Sequence, residues 1–291
     1  MYWIVTDSTI DMPLSWIKQQ ENFRVLNLSY MMDGVSYVSD GTDESIRAIY
    51  DAMREGKMLK TSQVTPEMWE TCFRELLSAG NDVLTIAFSS GLSGTFSAAF
   101  AAAEDVRGDF PDRKLMVIDS LLASAGEGLM VAYALKNREK GMSIEDNAAW
   151  VQANVQHFIS WFTVNDLMHL HRGGRVNAAS AIVGSLVRIK PIMHVDENGK
   201  LAVYEKAAGR KRSIRILAEK VIADIRNPEG QIIHISHGDC AEEAQTLADM
   251  VKAALPVADV RLSYVGSVIG AHTGPGVIAI FCLGESRTPK K

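Results

Sequence analysis

Cysteine is sparse in this chain. Three stand among 291 residues, Cys72, Cys240 and Cys282, without the close spacing of a metal site. An odd, scattered set excludes a disulfide scaffold and fits a reducing compartment. An excess of basic charge is lacking too: 30 Lys and Arg against 35 Asp and Glu leave a net charge of −5. A general nucleic-acid binder would show a basic face. The one basic cluster, Arg210-Lys211-Arg212 with Arg215, is short and opens a helix-like segment, so it reads as a solvated face. Long apolar runs are missing. "VIAIFCL" falls far short of the roughly 20 residues that span a bilayer. The start, "MYWIVTDSTID", has no basic stretch leading into an apolar one, so no secretory signal is expected. Together these absences imply a soluble, cytoplasmic protein with at most transient membrane contact.

The usual catalytic signatures are absent as well. After Gly91-Leu92-Ser93 come Gly94-Thr95, so the last glycine of a G-x-S-x-G elbow is missing. No phosphate-binding G-x-x-x-x-G-K-[ST] occurs. Gly126-Glu127-Gly128 supplies two glycines of a dinucleotide fingerprint, but Val131 stands where the third belongs. His169/His171 is expected on one face of a strand, and His234/His237 with Asp239 at a strand end. Neither set has the further ligands a metal needs, and no metal or cofactor is expected.

What is present is an ordinary globular composition, 47% hydrophobic and 22% charged. Strand-like and helix-like segments alternate through the first half, which implies a mainly parallel sheet flanked by helices. "TPEMWETCFRELLSAG" is a clear helix, with Thr65 as cap, Pro66 in the first turn, Met68/Trp69, Cys72/Phe73 and Leu76/Leu77 on one side, and Gly80 as stop. The second half differs. "KPIMHVDENGKLAVYEK" reads as a hairpin, a small-residue helix follows the Gly-Gly turn of "HRGGRV", and "SVIGAHTGPGVIAIFCL" reads as two apolar segments around a Gly/Pro loop. The expected fold is two α/β domains. Residues 1–157 carry the parallel sheet and residues 158–291 a mixed sheet with helices.

Five loops share small polar residues: "TDST" (6–9), "TSQVTP" (61–66), "SSGLSGT" (89–95), "DSLLASAGEG" (119–128) and "AHTGPG" (271–276). Gly91 and Gly94 remove side chains and permit positive φ, while Ser89, Ser90, Ser93 and Thr95 both donate and accept. A turn of this kind between strand and helix can hold an anion, or it can be a tight turn with Ser93 as helix cap. Loops after strands in open α/β sheets converge on one cleft. His272 is the titratable ring in the set.

Seven segments in this order, "VTDSTIDMP" (5–13), "TSQVTPEMW" (61–69), "SSGLSGTFSAA" (89–99), "DSLLASAGEG" (119–128), "LHRGGRVN" (170–177), "KPIMHVDENGKL" (190–201) and "IGAHTGPGV" (269–277), resemble the DegV family across nearly the whole chain. The resemblance implies a non-enzymatic protein that holds a long-chain fatty acid between two α/β domains. It also implies a partner, an ATP-dependent fatty acid kinase subunit that converts the presented carboxylate to an acyl phosphate. The carboxylate candidates are then Thr61, Ser62, Ser93, Gly94, His272 and Thr273, with Ser90, Ser120, Gly274 and Gly276 in support. Arg175, on a turn not expected to bury a guanidinium, becomes the candidate partner contact. Ala208 stands where the family often has arginine. The rival readings are a serine acyl hydrolase using Ser93 and His272, and a passive lipid carrier with no kinase partner.

Overall fold

The computed structural model describes residues 1–176 and 188–289. The small-residue helix expected after the Gly-Gly turn, and Asn177 of its motif, lie outside those residues. In chain order the first half runs β1 (Trp3–Asp7), α1 (Leu14–Ile17), β2 (Phe23–Leu26), β3 (Ser29–Met32), β4 (Val35–Val38), α2 (Asp43–Arg54), β5 (Leu59–Ser62), α3 (Pro66–Ser78), β6 (Val83–Ala87), α4 (Thr95–Arg107), β7 (Leu115–Asp119), α5 (Ala125–Glu139) and α6 (Ile144–Asn154). The second half runs β8 (Phe158–Thr163), α7 (Met168–Arg172), β9 (Ile189–Val195), β10 (Leu201–Ala208), α8 (Arg210–Asp224), β11 (Ile232–His237), α9 (Ala241–Ala254), β12 (Asp259–Tyr264), α10 (Ser267–Thr273) and β13 (Ile278–Leu283).

A parallel sheet, β2-β1-β6-β7, comes from the first half and a mixed sheet, β10-β9-β8-β13-β11-β12, from the second. Both faces of the parallel sheet are covered, so β6 is buried throughout and apolar but for Thr85. On one face Val5 and Val83 pack with Trp69, Phe73 and Ala99 of α3 and α4. On the other, Ile4 and Ile86 join a core that also holds Leu129 of α5 and Phe162, Ala279 and Phe281 of the mixed sheet. Helix α5 thus lies between the two sheets, and its glycines make this possible. A β-carbon on Gly126 would meet the Phe281 ring at 2.6 Å, and one on Gly128 the Ile10 carbonyl at 2.5 Å. The dinucleotide-like spacing is a packing device.

A third sheet adds to the two expected, built on extended segments about a turn at Asp33-Gly34 that the sequence also suggests. Strands β4-β3-β5 form a small antiparallel unit. Its hairpin turns at Asp33-Gly34, both at positive φ, as a two-residue turn of the right hand for twisted strands requires. Thr61 and Ser62 therefore end a strand and are not loop residues. Two other segments are helical where extended chain was one reading. His169 and His171 lie in α7, and "SVIGAHT" forms α10, which brings His272 into a helix's last turn. Helix α3 matches its expected cap, with the Thr65 side chain accepting from the Met68 amide, but Met68 itself faces solvent.

Candidate functional site

Polar loops at the strand ends divide into two groups. The first group is turned inward. Asp7, fully buried, accepts hydrogen bonds from the Thr9 amide at 3.0 Å, the Thr9 hydroxyl at 2.5 Å and the Phe88 amide at 3.0 Å. The Thr9 hydroxyl also lies 2.8 Å from Glu127 Oε2. One hydroxyl has one hydrogen, so a carboxyl must bring its own proton. Glu127 is that group, because burial, then the nearby Asp7 charge, push it well above the usual carboxylate range. Asp11 accepts from the Ser124 hydroxyl at 2.5 Å and the Gly266 amide at 2.9 Å, and burial pushes it up to about 7. Of these residues Phe88 and Ser124 line the cavity described next, and none of the three carboxyl groups does.

The second group surrounds a cavity of about 170 Å³. Its walls are apolar: Leu170, Leu201, Val268, Phe162, Ala279 and Phe281 contribute from five different elements. Its polar lining holds Thr61, Ser62, Gln63, Ser93, Gly94, Arg175, His272 and Thr273, with Ser124 and Ser160 besides. No Asp, Glu or Lys lines it among the described residues, and Arg175 is its one fixed charge. Thr61 Oγ1 and His272 Nε2 are 2.8 Å apart. Burial, then the Arg175 charge, hold His272 down at about 4, so its ring is neutral at neutral pH and carries one N–H. Arg175 was expected exposed. Instead its guanidinium is half-buried, with Nε donating to the Leu92 carbonyl at 3.0 Å and Nη1 to the Gly173 carbonyl. Gly173 lets it do so beside the imidazole, since a β-carbon there would collide with His272.

The loop from 88 to 94 answers for its own glycines. Neither Gly91 nor Gly94 has positive φ. A β-carbon on Gly91 would come within 2.8 Å of the Asn198 carbonyl and Gly199 backbone, and Ser89 donates to the Gly199 carbonyl at 2.8 Å. What approaches Gly91 is the β9–β10 turn. Gly94 is pressed by the Gln63 amide and itself caps α4, so Ser93 is not the helix cap. Ser93 Oγ accepts from the Thr95 amide at 3.2 Å and pairs with the Thr95 hydroxyl at 3.0 Å.

The remaining sequence candidates are placed as follows. The Thr273 hydroxyl donates to the Ile269 carbonyl at 3.0 Å and presents its wall only. Ser62 lines the cavity from an exposed strand end. Ser90, Ser120, Gly274 and Gly276 do not line it. Ser120 Oγ accepts from the Leu122 amide at 3.0 Å, which builds a turn. Gly274 and Gly276 hold positive φ against His169 and Asn165. Gln63 is the residue that sequence reasoning passed over. It stands two places after Thr61, so extending the strand's alternation by one step would have found it. A hydrolase reading lacks its parts: Ser93 pairs with Thr95, His272 with Thr61, and among the described residues no carboxylate within the cavity orients the imidazole. His237 accepts from the Cys240 amide at 3.4 Å, and His234 is buried within the mixed sheet.

A family model described as "Uncharacterised protein, DegV family" matches residues 2–285. A DegV domain-containing protein of Clostridium perfringens is 39% identical over 288 residues, covering 98% of each chain. Among solved structures, a fatty-acid-binding DegV family protein from Thermus thermophilus is similar with a TM-score of 0.88 and 28% identity, covering 98% of this chain and 99% of that one. A DegV lipid-binding protein from Thermotoga maritima is similar with a TM-score of 0.85 and 31% identity, covering 99% of this chain and 100% of that one.

Proposed function

The chain belongs to the DegV family, and from that premise we propose that it binds one long-chain fatty acid, with the acyl chain in the apolar cavity and the carboxylate at its polar side. The observation that carries this reading is the cavity's lining: largely apolar walls, with polar residues that, among the described residues, include one cation and no acid. Burying a methylene contributes about 0.8 kcal/mol, so a long chain supplies most of the affinity. A buried carboxylate then needs donors and a compensating charge. The Thr61–His272 pair keeps one hydrogen to donate beyond its own bond, Ser93 supplies another donor, and Arg175 the charge. Ser62, Gln63 and the Gly94 backbone sit close enough to the same side to shape it.

In this reading residues 1–157 and 158–291 act as two domains with the ligand between them, in the cytoplasm. The protein catalyses nothing alone. It presents the carboxylate to an ATP-dependent kinase subunit. A carboxylate oxygen attacks the terminal phosphorus of the nucleotide, the bond to the bridging oxygen breaks, and the nucleoside diphosphate leaves. Arg175 remains the candidate contact for that partner as well as for the carboxylate, because a planar guanidinium suits both carboxylate and phosphate.

Denaturing extraction of freshly purified protein, followed by mass analysis, tests the ligand. The expected result is one long-chain fatty acid per chain, exchangeable with labelled fatty acid. A protein that purifies empty and takes up none would end the reading. Acyl-phosphate formation with an added kinase subunit tests the partner separately.

A further inference from the structure

One hydroxyl of the cavity stands apart from the polar groups offered to the carboxylate. Ser160 is 2% exposed and lines the cavity from β8. Phe158 and Phe162 join the core between the two sheets, while Ile159 and Trp161 join the core on the other face, so alternation turns Ser160 inward with the two phenylalanines. Phe281, its partner across the β8–β13 ladder, and Val195 of β9 line the cavity beside it. Ser160 Oγ accepts from the Val195 amide at 3.3 Å, and its own hydrogen has no acceptor among the described residues. The cavity's other hydroxyls are engaged or wet. Ser124 donates to Asp11 and Thr273 to the Ile269 carbonyl, while Thr61 and Ser93 pair with His272 and Thr95. Ser62 is exposed. Unpartnered buried hydroxyls also occur at Thr85 and Thr163, but neither lines this cavity.

A donor held in an apolar wall without an acceptor is costly, and an all-methylene chain leaves it so. Ser160 stands three residues, roughly 10 Å, before Thr163 at the end of β8. The chain reaches α7 and Arg175 only beyond that end. A ligand whose carboxylate lies at Arg175 and His272 therefore passes Ser160 with the middle of its chain. An oxo group at that point would complete the missing bond. A ketone oxygen accepts and brings no hydrogen of its own, whereas a hydroxyl would add a second donor among apolar neighbours. We propose that Ser160 is a specificity-determining residue which donates to an oxygen on a mid-chain carbon, so that the cavity is fitted to long-chain fatty acids carrying one oxo group there. This rests on the fatty-acid reading above and names a substrate class within it. The bond is one of recognition, and the oxo group leaves as it entered.

The test gives the full chain hexadecanoic acid and a series of oxohexadecanoic acids, in which the oxo group moves carbon by carbon along the chain. Calorimetry of wild-type protein should show an affinity that peaks at a mid-chain position and falls on either side, where the carbonyl is buried without a donor. Ser160→Ala should weaken the peak isomer about three- to tenfold, leave hexadecanoic acid unchanged and flatten the profile. That substitution also removes the acceptor of the Val195 amide, so a second readout uses wild type alone. The infrared carbonyl stretch of the bound peak isomer, isotope-labelled at the oxo carbon, should lie below its value in a hydrocarbon solvent. A stretch at the hydrocarbon value, or a profile without a mid-chain maximum, would overturn the proposal, and so would a folded variant that keeps the maximum. Wild type that binds hexadecanoic acid but none of the oxo isomers would overturn it while sparing the fatty-acid reading, and wild type that binds none of the probes would overturn both.

Discussion

Two sets of small polar loops sit at strand ends in this fold, and they use the same residue types for opposite ends. The loops after β1 and before α5 bury three carboxyl groups, Asp7, Asp11 and Glu127, and turn their hydroxyls onto them. The residues of β5, the 88–94 loop and α10 surround a cavity that no carboxylate lines among the described residues, with Thr61 bonded to His272. The first set is complete in itself, while the second leaves an apolar space with donors and a guanidinium on its polar side. Small polar residues after a strand therefore say little alone. Whether an acid stands among them separates a loop that is internally satisfied from one with capacity to spare for an anion.

The comparison can be broken most forcefully at Asp7. Asp7→Ala strands the Phe88 and Thr9 amides in the interior, and should cost about 3 kcal/mol or more in chemical denaturation. Glu127→Gln should cost under about 1 kcal/mol, because Glu127 is already protonated and the amide can still donate to Thr9. A loss for Glu127→Gln as large as for Asp7→Ala would show that the carboxyl is ionised in the fold. Next in size is the cavity set. Ser93→Ala and His272→Ala should each weaken fatty acid binding about tenfold or more, with midpoints of unfolding little changed. Arg175→Ala, given its place beside the imidazole, should do at least as much.

Gly91→Ala probes the 88–94 loop itself. The added methyl meets the Asn198 and Gly199 backbone, so it should destabilise the fold by roughly 1–3 kcal/mol. If instead stability holds and only ligand affinity falls, the glycine serves the ligand and not the hairpin turn.

The two sets should also answer pH with opposite signs. His272 is held down at about 4 from 6.5, mainly by burial. The unfolded chain takes up that proton first, so the histidine's contribution is present above about pH 6.5 and is lost as pH falls toward 4. Asp11 is raised from 3.8 to about 7, so its contribution is present below 3.8 and lost as pH rises through 7. Melting curves of His272→Gln should show less loss on the acid side, and those of Asp11→Asn less loss on the neutral side. This is the smallest of the effects, since other groups titrate in the same range.

Much of this was legible from the chain. The alternating segments foretold a parallel sheet followed by a mixed one, and hydroxyls at 61, 62 and 93 with His272 do line one cavity. The misses have local causes. Gly91 was open to a ligand reading because the sequence cannot show that a turn more than a hundred residues away presses on it. Arg175 looked exposed because a Gly-Gly turn carries no apolar flank, yet the Leu92 and Gly173 carbonyls draw the guanidinium inward. The helix at 267–273 was hidden by two glycines at 266 and 270; Gly270 leaves the space that the Tyr50 ring fills.

The central claim is that the polar side of the cavity recognises a carboxylate and not merely a lipid tail. The most direct test is the affinity of the wild-type protein for a fatty acid against the fatty alcohol of equal length, repeated with the Ser93→Ala/His272→Ala double variant. The account predicts that wild type prefers the acid by at least about tenfold, and that the double variant loses most of this preference while still binding the alcohol. Equal affinity of the wild-type protein for acid and alcohol would contradict it.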